Sequence, residues 1–297
     1  MKSGFVAVIG RANAGKSTLI NVLVGEKVAI VSPKPQTTRD RIMGVKNGVG
    51  YQVVFVDTPG IYKAGNRLNS FMQRTAQDTV QDVDLVLFVL DVHKGISDTD
   101  KTLVEKFKKS GLPFVLCLTK TDITSESLLV SEMRNLSELG VPVVPVSARK
   151  GKNLSELMKV ITSLLPEGEK IFGDDVISDR SERFMISEIM REKILLKFDK
   201  EIPHGVAIIL NEFKLREDGK IYDVSLDIVC EKLNHKAILI GKGGDAIREV
   251  SSFARKDMEK FLGKKVFLTT YVKVKEDWRN SAGLIKELGY GDQINRE

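Results

Sequence analysis

The sequence is poor in the residues that make disulfides, metal centres and membrane spans. Its 297 residues include two cysteines, Cys117 and Cys230, and three histidines that lack metal-ligand spacing. The cysteines lie far apart in apolar, strand-like runs, which favours reduced core thiols over a disulfide. No apolar run approaches the ~20 residues that span a bilayer, and residues 1–10 lead into a strand and not into a signal peptide. We therefore expect a cytoplasmic protein.

Positive charge is concentrated in one part of the chain. The formal net charge is +6. Residues 232–275 alone carry 11 lysines and arginines against 4 aspartates and glutamates. Such a stretch indicates an anionic partner, although most charged stretches are only solvated faces. Its centre is the glycine-rich sequence IGKGGDAIREV, residues 240–250.

The first 165 residues alternate short β-rich apolar runs with longer amphipathic segments. Runs of this kind are typical of strands buried on both faces, and the alternation predicts a mostly parallel sheet flanked by helices. Ligands of such α/β folds bind at the carboxyl ends of the strands. The predicted strands are Phe5–Gly10, Tyr51–Asp57, Asp84–Asp91, Pro113–Lys120 and Val141–Ala148.

A segment that mixes proline, glycine and acidic residues follows this alternation. We interpret it as a linker and predict a first domain over 1–168, a linker over 169–180 and a second domain over 181–297. In the second domain the pattern predicts a helix, two strands joined at REDGK, a short helical turn, a long helix from about Asp245 to Phe261 and a last strand. That is an α+β unit.

The sequence GRANAGKS directly follows the first predicted strand and fits the phosphate-binding pattern G-x-x-x-x-G-K-[ST]. Backbone amides and the dipole of the next helix would face a polyphosphate. Lys16 would reach the β- and γ-phosphates, and Ser17 would ligate Mg²⁺. A glycine turn that binds nothing is the alternative. The predicted nucleotide-binding residues here are Gly10, Arg11, Ala12, Asn13, Ala14, Gly15, Lys16, Ser17 and Thr18.

Two further motifs follow the phosphate loop. DTPG, which comprises Asp57, Thr58, Pro59 and Gly60, ends the next strand. Asp57 is placed to hold Mg²⁺ through water, and the Gly60 amide to meet the γ-phosphate. In the proline-bearing loop SPKPQTTRDR, residues 32–41, we prefer Thr38 over Thr37 as a further Mg²⁺ ligand that orders the loop. The predicted catalytic residues are Lys16, Thr38, Asp57 and Gly60.

The fourth and fifth runs end in TKTD and SA. Asp122 can accept hydrogen bonds from the ring N–H and the amine of guanine, a pair that adenine lacks. Lys120 can lie along the base, and the Ala148 amide can donate to the guanine carbonyl. The predicted guanine-binding residues are Thr119, Lys120, Thr121, Asp122, Ser147 and Ala148.

These motifs, in this order, resemble those of the translation-factor-type P-loop GTPases. One departure is Thr119, where the family motif has asparagine, so guanine preference rests more on Asp122. The residue after Gly60 is Ile61, which cannot orient water as the glutamine of many GTPases does, so we expect slow intrinsic hydrolysis. Similarity to potassium-activated relatives gives Asn13 a role in binding K⁺. A local turn-stabilising role is equally open.

The second glycine loop does not fit the phosphate-loop pattern. Its G-x-x-G is typical of a KH module, which clamps about four nucleotides of a single strand, and the strand order indicates type II. A plain helix–turn–helix is the alternative. Aromatic residues are sparse here, so we expect backbone and base-edge recognition over stacking. The predicted RNA-binding residues are Ile240, Gly241, Lys242, Gly243, Gly244, Ile247 and Arg248.

The resemblance extends over the whole chain to bacterial members of the family with a C-terminal type II KH domain. It implies a GTP-hydrolysing switch that binds the 3′ region of small-subunit ribosomal RNA and acts in assembly of that subunit. In a competing hypothesis the second domain docks to a protein or to an anionic membrane surface at the inner face of the cell membrane. In a third, the protein is an ATP-using enzyme. We expect Trp278 to be a packing anchor.

Overall fold

The computed structural model describes residues 1–60, 66–79, 82–109 and 111–290. The described residues separate into two compact units. One contains those of Met1–Val31, Thr38–Lys63 and Met72–Asp179, and the other those of Ser32–Thr37, Ala64–Phe71 and Arg180–Glu297. Each unit has a hydrophobic core of its own.

The part of the chain up to residue 179 forms a sheet flanked by helices. Among the described residues the strand order is β2-β3-β1-β4-β5-β6, and each pair is parallel except β2 and β3. The predicted, mostly parallel α/β fold is confirmed. The elements are β1 (Lys2–Ile9), α1 (Lys16–Val24), β2 (Ile42–Gly48), β3 (Tyr51–Asp57), α2 (Arg67–Thr79), β4 (Leu85–Asp91), α3 (Asp98–Lys108), β5 (Phe114–Thr119), α4 (Glu126–Ser137), β6 (Val143–Pro145) and α5 (Leu154–Leu164).

Alternate residues of the strands enter two cores, one on each face of the sheet. On β1, Val6 and Val8 join the core under α1 and α5, whereas Ala7 and Ile9 join the core under α3 and α4. Burial on both faces explains why these strands are continuous apolar runs and not alternating ones. Cys117 lies in this core as a free, buried thiol, as predicted.

The predicted linker lies against the edge of this sheet. Gln52, fully buried on β3, accepts hydrogen bonds from the backbone N–H groups of Ile171 (2.7 Å) and Phe172 (2.9 Å). Its amide nitrogen donates to the Phe172 carbonyl (2.9 Å) and to Asn47 Oδ1 (2.7 Å). Further along, the Met43 N–H donates to Asp179 Oδ1 (2.8 Å). Side-chain hydrogen bonds therefore fasten this segment to β2 and β3.

The part of the chain from residue 180 forms an α+β unit. Its described strands lie in the order β7-β8-β9, with β7 and β8 antiparallel and β8 and β9 parallel. This is the predicted type II arrangement. The elements are α6 (Glu182–Lys197), β7 (Ala207–Leu215), β8 (Ile221–Cys230), α7 (Leu233–Ile240), α8 (Asp245–Leu262), β9 (Lys265–Val274) and α9 (Ala282–Glu287).

Two single residues of this unit behave as the sequence indicated. Trp278 is fully buried, and its indole N–H donates to the Gly205 carbonyl (2.9 Å), so its predicted role as a packing anchor is confirmed. Cys230 is a free, buried thiol, and burial raises its pKa. Within the described residues, no helix combines the length and the apolar character needed to cross a bilayer.

Candidate functional site

The phosphate loop lies between β1 and α1, where the sequence placed it. Lys16 is buried, and its ammonium donates to the carbonyls of Gly10 and Arg11, both at 3.2 Å. Burial lowers the pKa of Lys16, and the nearby Asp57 carboxylate opposes this shift. The Arg11 side chain points elsewhere, because it donates to Ser97 Oγ (3.1 Å) at the N-terminus of α3. Asn13 has left-handed backbone geometry, with φ of 64°.

Three oxygen-bearing side chains meet beside Lys16. Ser17 Oγ donates to Asp57 Oδ2 (2.7 Å), and Thr38 Oγ1 lies 2.9 Å from Ser17 Oγ and 3.2 Å from Asp57 Oδ2. Thr37 instead donates to the Lys34 carbonyl (2.6 Å). The structure thus brings the preferred threonine, and not its neighbour, to the other two predicted metal ligands.

The chemistry of this cluster fits a hard divalent cation. Asp57 is fully buried, and its Oδ1 atom has no hydrogen-bond partner among the described residues. Burial raises the pKa of Asp57, while Lys16 and the two hydroxyl groups lower it in part. A buried carboxylate with an open oxygen and two hydroxyl neighbours is the kind of oxygen-only donor set that Mg²⁺ prefers.

The DTPG turn packs closely on the phosphate loop. Thr58 Oγ1 donates to the Val8 carbonyl (3.0 Å), and Pro59 is buried beside it. A Cβ on Gly60 would lie 2.9 Å from Ala12 Cα and 3.0 Å from Ala12 N, so only glycine allows this approach. Ile61, which bears on the water-orienting question, lies outside the described residues.

A cavity of about 260 Å³ opens at the carboxyl ends of β5 and β6. Ser147 Oγ donates to Asp122 Oδ1 (2.6 Å), and this hydrogen bond lowers the pKa of Asp122 below its ordinary value of 3.8. The carboxylate is therefore ionised at neutral pH and can accept hydrogen bonds. The cavity is lined by Gly15, Thr18, Thr119, Lys120, Asp122, Ile123, Ala148 and Arg149.

One residue beside this cavity, Asp91, was not predicted from the sequence. Lys120 has left-handed geometry, with φ of 63°, and its ammonium lies 2.6 Å from Asp91 Oδ2. Asp91 ends β4 and therefore shares the sheet edge with the predicted residues. An acidic residue at the end of an apolar run was the available signal. The backbone N–H of Thr121 donates to the Val146 carbonyl (3.4 Å).

Thr119, the departure from the family motif, is buried and binds backbone. Its hydroxyl faces the carbonyls of Ala14 (2.6 Å) and Leu90 (3.1 Å). A hydroxyl has one hydrogen, so both contacts share a single donor. Thr119 therefore has no proton left to donate to a base. Its hydroxyl instead links β5 to the phosphate loop and to β4.

We expect Thr119→Val to weaken the fold without changing base preference. The substitution leaves the Ala14 carbonyl without this donor, which costs about 1–2 kcal/mol in the free energy of unfolding. Urea unfolding measures that loss, and the ratio of kcat/KM for GTP over ATP measures base preference. A collapse of that ratio with unchanged stability would show that Thr119 contacts the base.

The second glycine loop joins α7 to α8. Gly241, Gly243 and Gly244 all have positive φ, of 74°, 61° and 84°. A Cβ on Gly241 would lie 2.7 Å from Ala246 Cβ, so the loop and the first turn of α8 touch directly. Lys242 is exposed at the tip of the loop.

The other predicted RNA-binding residues flank the loop. Ile240 and Ile247 are partly buried, and Ile247 packs against the core of its unit. Arg248 is exposed and forms an ion pair with Asp245 (2.8 Å). The loop therefore offers a glycine backbone and a lysine at its tip, with apolar side chains below.

Fold and site together define a P-loop GTPase domain followed by a KH domain. A family model described as 50S ribosome-binding GTPase matches residues 5–120, and one described as KH domain matches residues 201–279. GTPase Era of Alkaliphilus metalliredigens is 45% identical over 291 residues, which are 97% of this chain and 99% of that protein. The chain belongs to the GTPase Era family.

Solved structures show the same likeness. A variant of Aquifex aeolicus Era bound to GDP·AlF4⁻ superposes with a TM-score of 0.94 at 36% identity, over 98% of this chain and all of that chain. An Era complex with MgGDPNP and nucleotides 1506–1542 of 16S ribosomal RNA gives 0.93 at 36% identity, with the same coverage.

Proposed function

We propose that this protein is a GTP-hydrolysing switch that binds single-stranded RNA of the 3′ region of small-subunit ribosomal RNA and acts in assembly of that subunit. The observation that carries the GTPase assignment is the convergence of Lys16, Asp57 and Asp122 at the carboxyl edge of one sheet. The relative crystallised with 16S ribosomal RNA supports the choice of RNA. We propose domain limits of 1–168 and 181–297, joined by 169–180, a segment that hydrogen bonds hold against β2 and β3 of the first unit.

Each side chain of the nucleotide site has a proposed task. Lys16 binds the β- and γ-phosphates, and Ser17, Thr38 and Asp57 hold Mg²⁺, Asp57 through water. When bound, Mg²⁺ neutralises charge that develops on the phosphates. The Gly60 amide senses the γ-phosphate. Asp122 accepts hydrogen bonds from guanine, and the Ala148 amide donates to the guanine carbonyl. Lys120 lies along the base, and Asp91 holds its ammonium in place.

We further propose that K⁺ binds beside Asn13 and speeds hydrolysis. In KCl we expect at least about a fivefold higher kcat than in NaCl of equal ionic strength, about 1 kcal/mol of transition-state stabilisation. Asn13→Ala should abolish the difference. Asn153→Ala is the matched control, because Asn153 also has left-handed geometry, with φ of 58°. An equal loss in both salts would assign Asn13 to the turn alone.

RNA binding is tested with protein loaded with GDP or a non-hydrolysable GTP analogue, at two salt concentrations. The ligand is single-stranded RNA from the 3′ end of small-subunit ribosomal RNA, with a scrambled control. We expect Gly244→Asp to weaken binding about tenfold or more, because a carboxylate would face the phosphates. Gly140→Asp is the control, since Gly140 also has positive φ and open space around it. Equal affinity for scrambled RNA would contradict sequence recognition.

We propose a cytoplasmic location, with peripheral membrane contact as the second candidate. Leu233 and Ile238 on α7 are exposed apolar residues, 73% and 49% accessible, in the basic region. That combination suits an anionic lipid surface. Sedimentation with anionic vesicles tests it. Lipid binding that Gly244→Asp abolishes, with RNA binding spared, would favour the docking hypothesis over the RNA one.

A further inference from the structure

Strand β9 presents two basic and two aromatic side chains on its outer face. Its inward residues Val266, Leu268, Val272 and Val274 belong to or pack against the core of the second unit. The opposite side chains are largely outside that core. We call Lys265, Phe267, Thr269, Tyr271 and Lys273 the outer face of β9.

The two aromatic rings on this face are open to solvent. Phe267 is 59% exposed and Tyr271 is 56% exposed. They are four residue steps apart on the strand, or about 13 Å, and both point to the same side. Neither ring has a packing role of the kind that Trp278 has. Exposed aromatic rings beside basic side chains are the feature on which proteins that bind single-stranded nucleic acid stack bases.

A cluster of lysines lies at the start of β9. A depression of about 580 Å³ is lined by the lysine cluster Lys220, Lys260, Lys264 and Lys265, together with Gly219, Gly263 and Glu259. Lys220, Lys260 and Lys264 form no ion pair in the described part of the chain. The Glu259 carboxylate is already engaged by the Val266 N–H (3.2 Å) and by Lys265 (3.5 Å).

The acidic residues of this region leave the positive charge in excess. Asp223, beside Phe267 on β8, is paired with Arg216 (2.7 Å), and Asp227, beside Tyr271, is paired with Lys273 (2.6 Å). Glu217 and Asp218 are exposed in the turn before Lys220. The Arg216 guanidinium also lies 5.4 Å from the Phe267 ring centroid, which adds a cation next to an open ring.

This surface is separate from the glycine loop. The loop precedes α8, and the lysine cluster lies at the opposite end of that helix. Eighteen helical residues extend about 27 Å, so one nucleotide cannot touch both places. A KH loop clamps about four nucleotides, and any longer single strand continues beyond them.

We infer that the outer face of β9 and the lysine cluster form a second RNA-binding surface, on which unpaired bases stack on Phe267 and Tyr271 and phosphates pair with the lysines. The inference rests on the proposed RNA-binding function. It adds stacking at this surface to the backbone and base-edge recognition that the sequence predicts at the glycine loop. Aromatic stacking tolerates any base because every base has a π-face, so this surface adds affinity more than sequence preference.

The first test substitutes the rings. Phe267→Ala with Tyr271→Ala should weaken binding of the single-stranded ribosomal RNA about tenfold or more, because each stacked base is expected to contribute about 5- to 150-fold. Phe253→Ala with Phe261→Ala is the matched control, since these rings on α8 are 52% and 36% exposed. All four side chains are solvent-accessible, so both variants should fold, which circular dichroism checks.

The second test measures salt dependence. Replacing the four lysines of the cluster with glutamine should make the slope of log K against log salt shallower by about 0.7 for each lost phosphate contact. Glutamine at Lys101, Lys106, Lys108 and Lys109 of the first unit is the control and should leave the slope unchanged. An unchanged slope in the cluster variant would remove the lysines from the RNA interface.

The outcomes separate this inference from the proposed function. Wild-type protein that fails to bind the RNA would refute the proposed function. Wild-type binding that Gly244→Asp weakens and the ring variant does not would refute the second surface alone. Equal losses in the ring variant and its control would also overturn it. A molecular mass that falls on substitution of the rings would assign the surface to a second copy of this chain.

Discussion

Asp122→Asn should lower kcat/KM for GTP by roughly 10⁴-fold and make xanthosine triphosphate the better substrate. Ser147 donates to this carboxylate, and in the proposed site its free lone pairs accept hydrogen bonds from the two N–H groups of guanine. An asparagine places its own N–H₂ opposite those donors, and a site with unpaired buried polar groups rejects a ligand by this order of magnitude. Xanthine has a carbonyl in place of the amine, so it accepts from the new amide.

Initial rates with GTP, XTP and ATP measure this exchange. Asp98→Asn is the control, because the Asp98 side chain is fully exposed on α3. The Ser147 hydrogen bond lowers the pKa of Asp122, so its carboxylate is ionised from pH 5 to 8 and guanine preference should not change over that range. Preserved GTP preference in Asp122→Asn would show that Asp122 does not select guanine. ATP turnover equal to GTP turnover in the wild type, unchanged by the substitution, would instead support the ATP-using hypothesis.

Asp57→Asn should reduce kcat for GTP roughly 10³-fold and remove its dependence on Mg²⁺. The change takes away the charged oxygen that lies next to Ser17 and Thr38 and leaves a neutral amide, which attracts Mg²⁺ less strongly than a carboxylate does. A metal ion contributes several kcal/mol to phosphoryl transfer, and about 4 kcal/mol corresponds to 10³-fold in rate. Titration of the rate with MgCl₂ measures the effect.

Thermal unfolding provides a second readout for the same variant. Mg²⁺ and GDP together should raise the Tm of the wild type above the value with GDP alone, and Asp57→Asn should lose that increment. Asp227→Asn controls for neutralising a buried carboxylate, since Asp227 is 3% exposed in the other unit. A normal rate at saturating Mg²⁺ would show that Asp57 does not hold the metal.

The central strands and the motifs at their ends could be predicted because burial on both faces produces long apolar runs. Strand β2 could not, because it lies at the edge of the sheet and contains Gly44, Lys46, Asn47 and Gly48. Such a sequence has no run or alternation to recognise. Its pairing depends on β3, which is a tertiary interaction.

The sequence predicted where the site residues lie better than it predicted which groups their side chains bind. The sequence placed Thr119 at the base site, but only the fold brings its hydroxyl to the Ala14 carbonyl, 105 residues away. The role of Asp91 could not be predicted either, because its ion pair with Lys120 requires β4 and β5 to be neighbours. The sequence around the second glycine loop suggested few aromatic contacts, yet strand geometry places both aromatic rings of β9 on one face.

The four hydrogen bonds of Gln52 determine where the chain can be truncated to express its first unit alone. A chain truncated after residue 168 would lose Ile171 and Phe172 and leave the buried amide of Gln52 with unmet hydrogen bonds at the sheet edge. A chain truncated after residue 179 would keep them, together with the contact from Met43 to Asp179. Expression of the first unit alone therefore requires residues 169–179, which are hydrogen-bonded to the edge of the sheet. For the same reason we expect proteases to cleave this segment slowly.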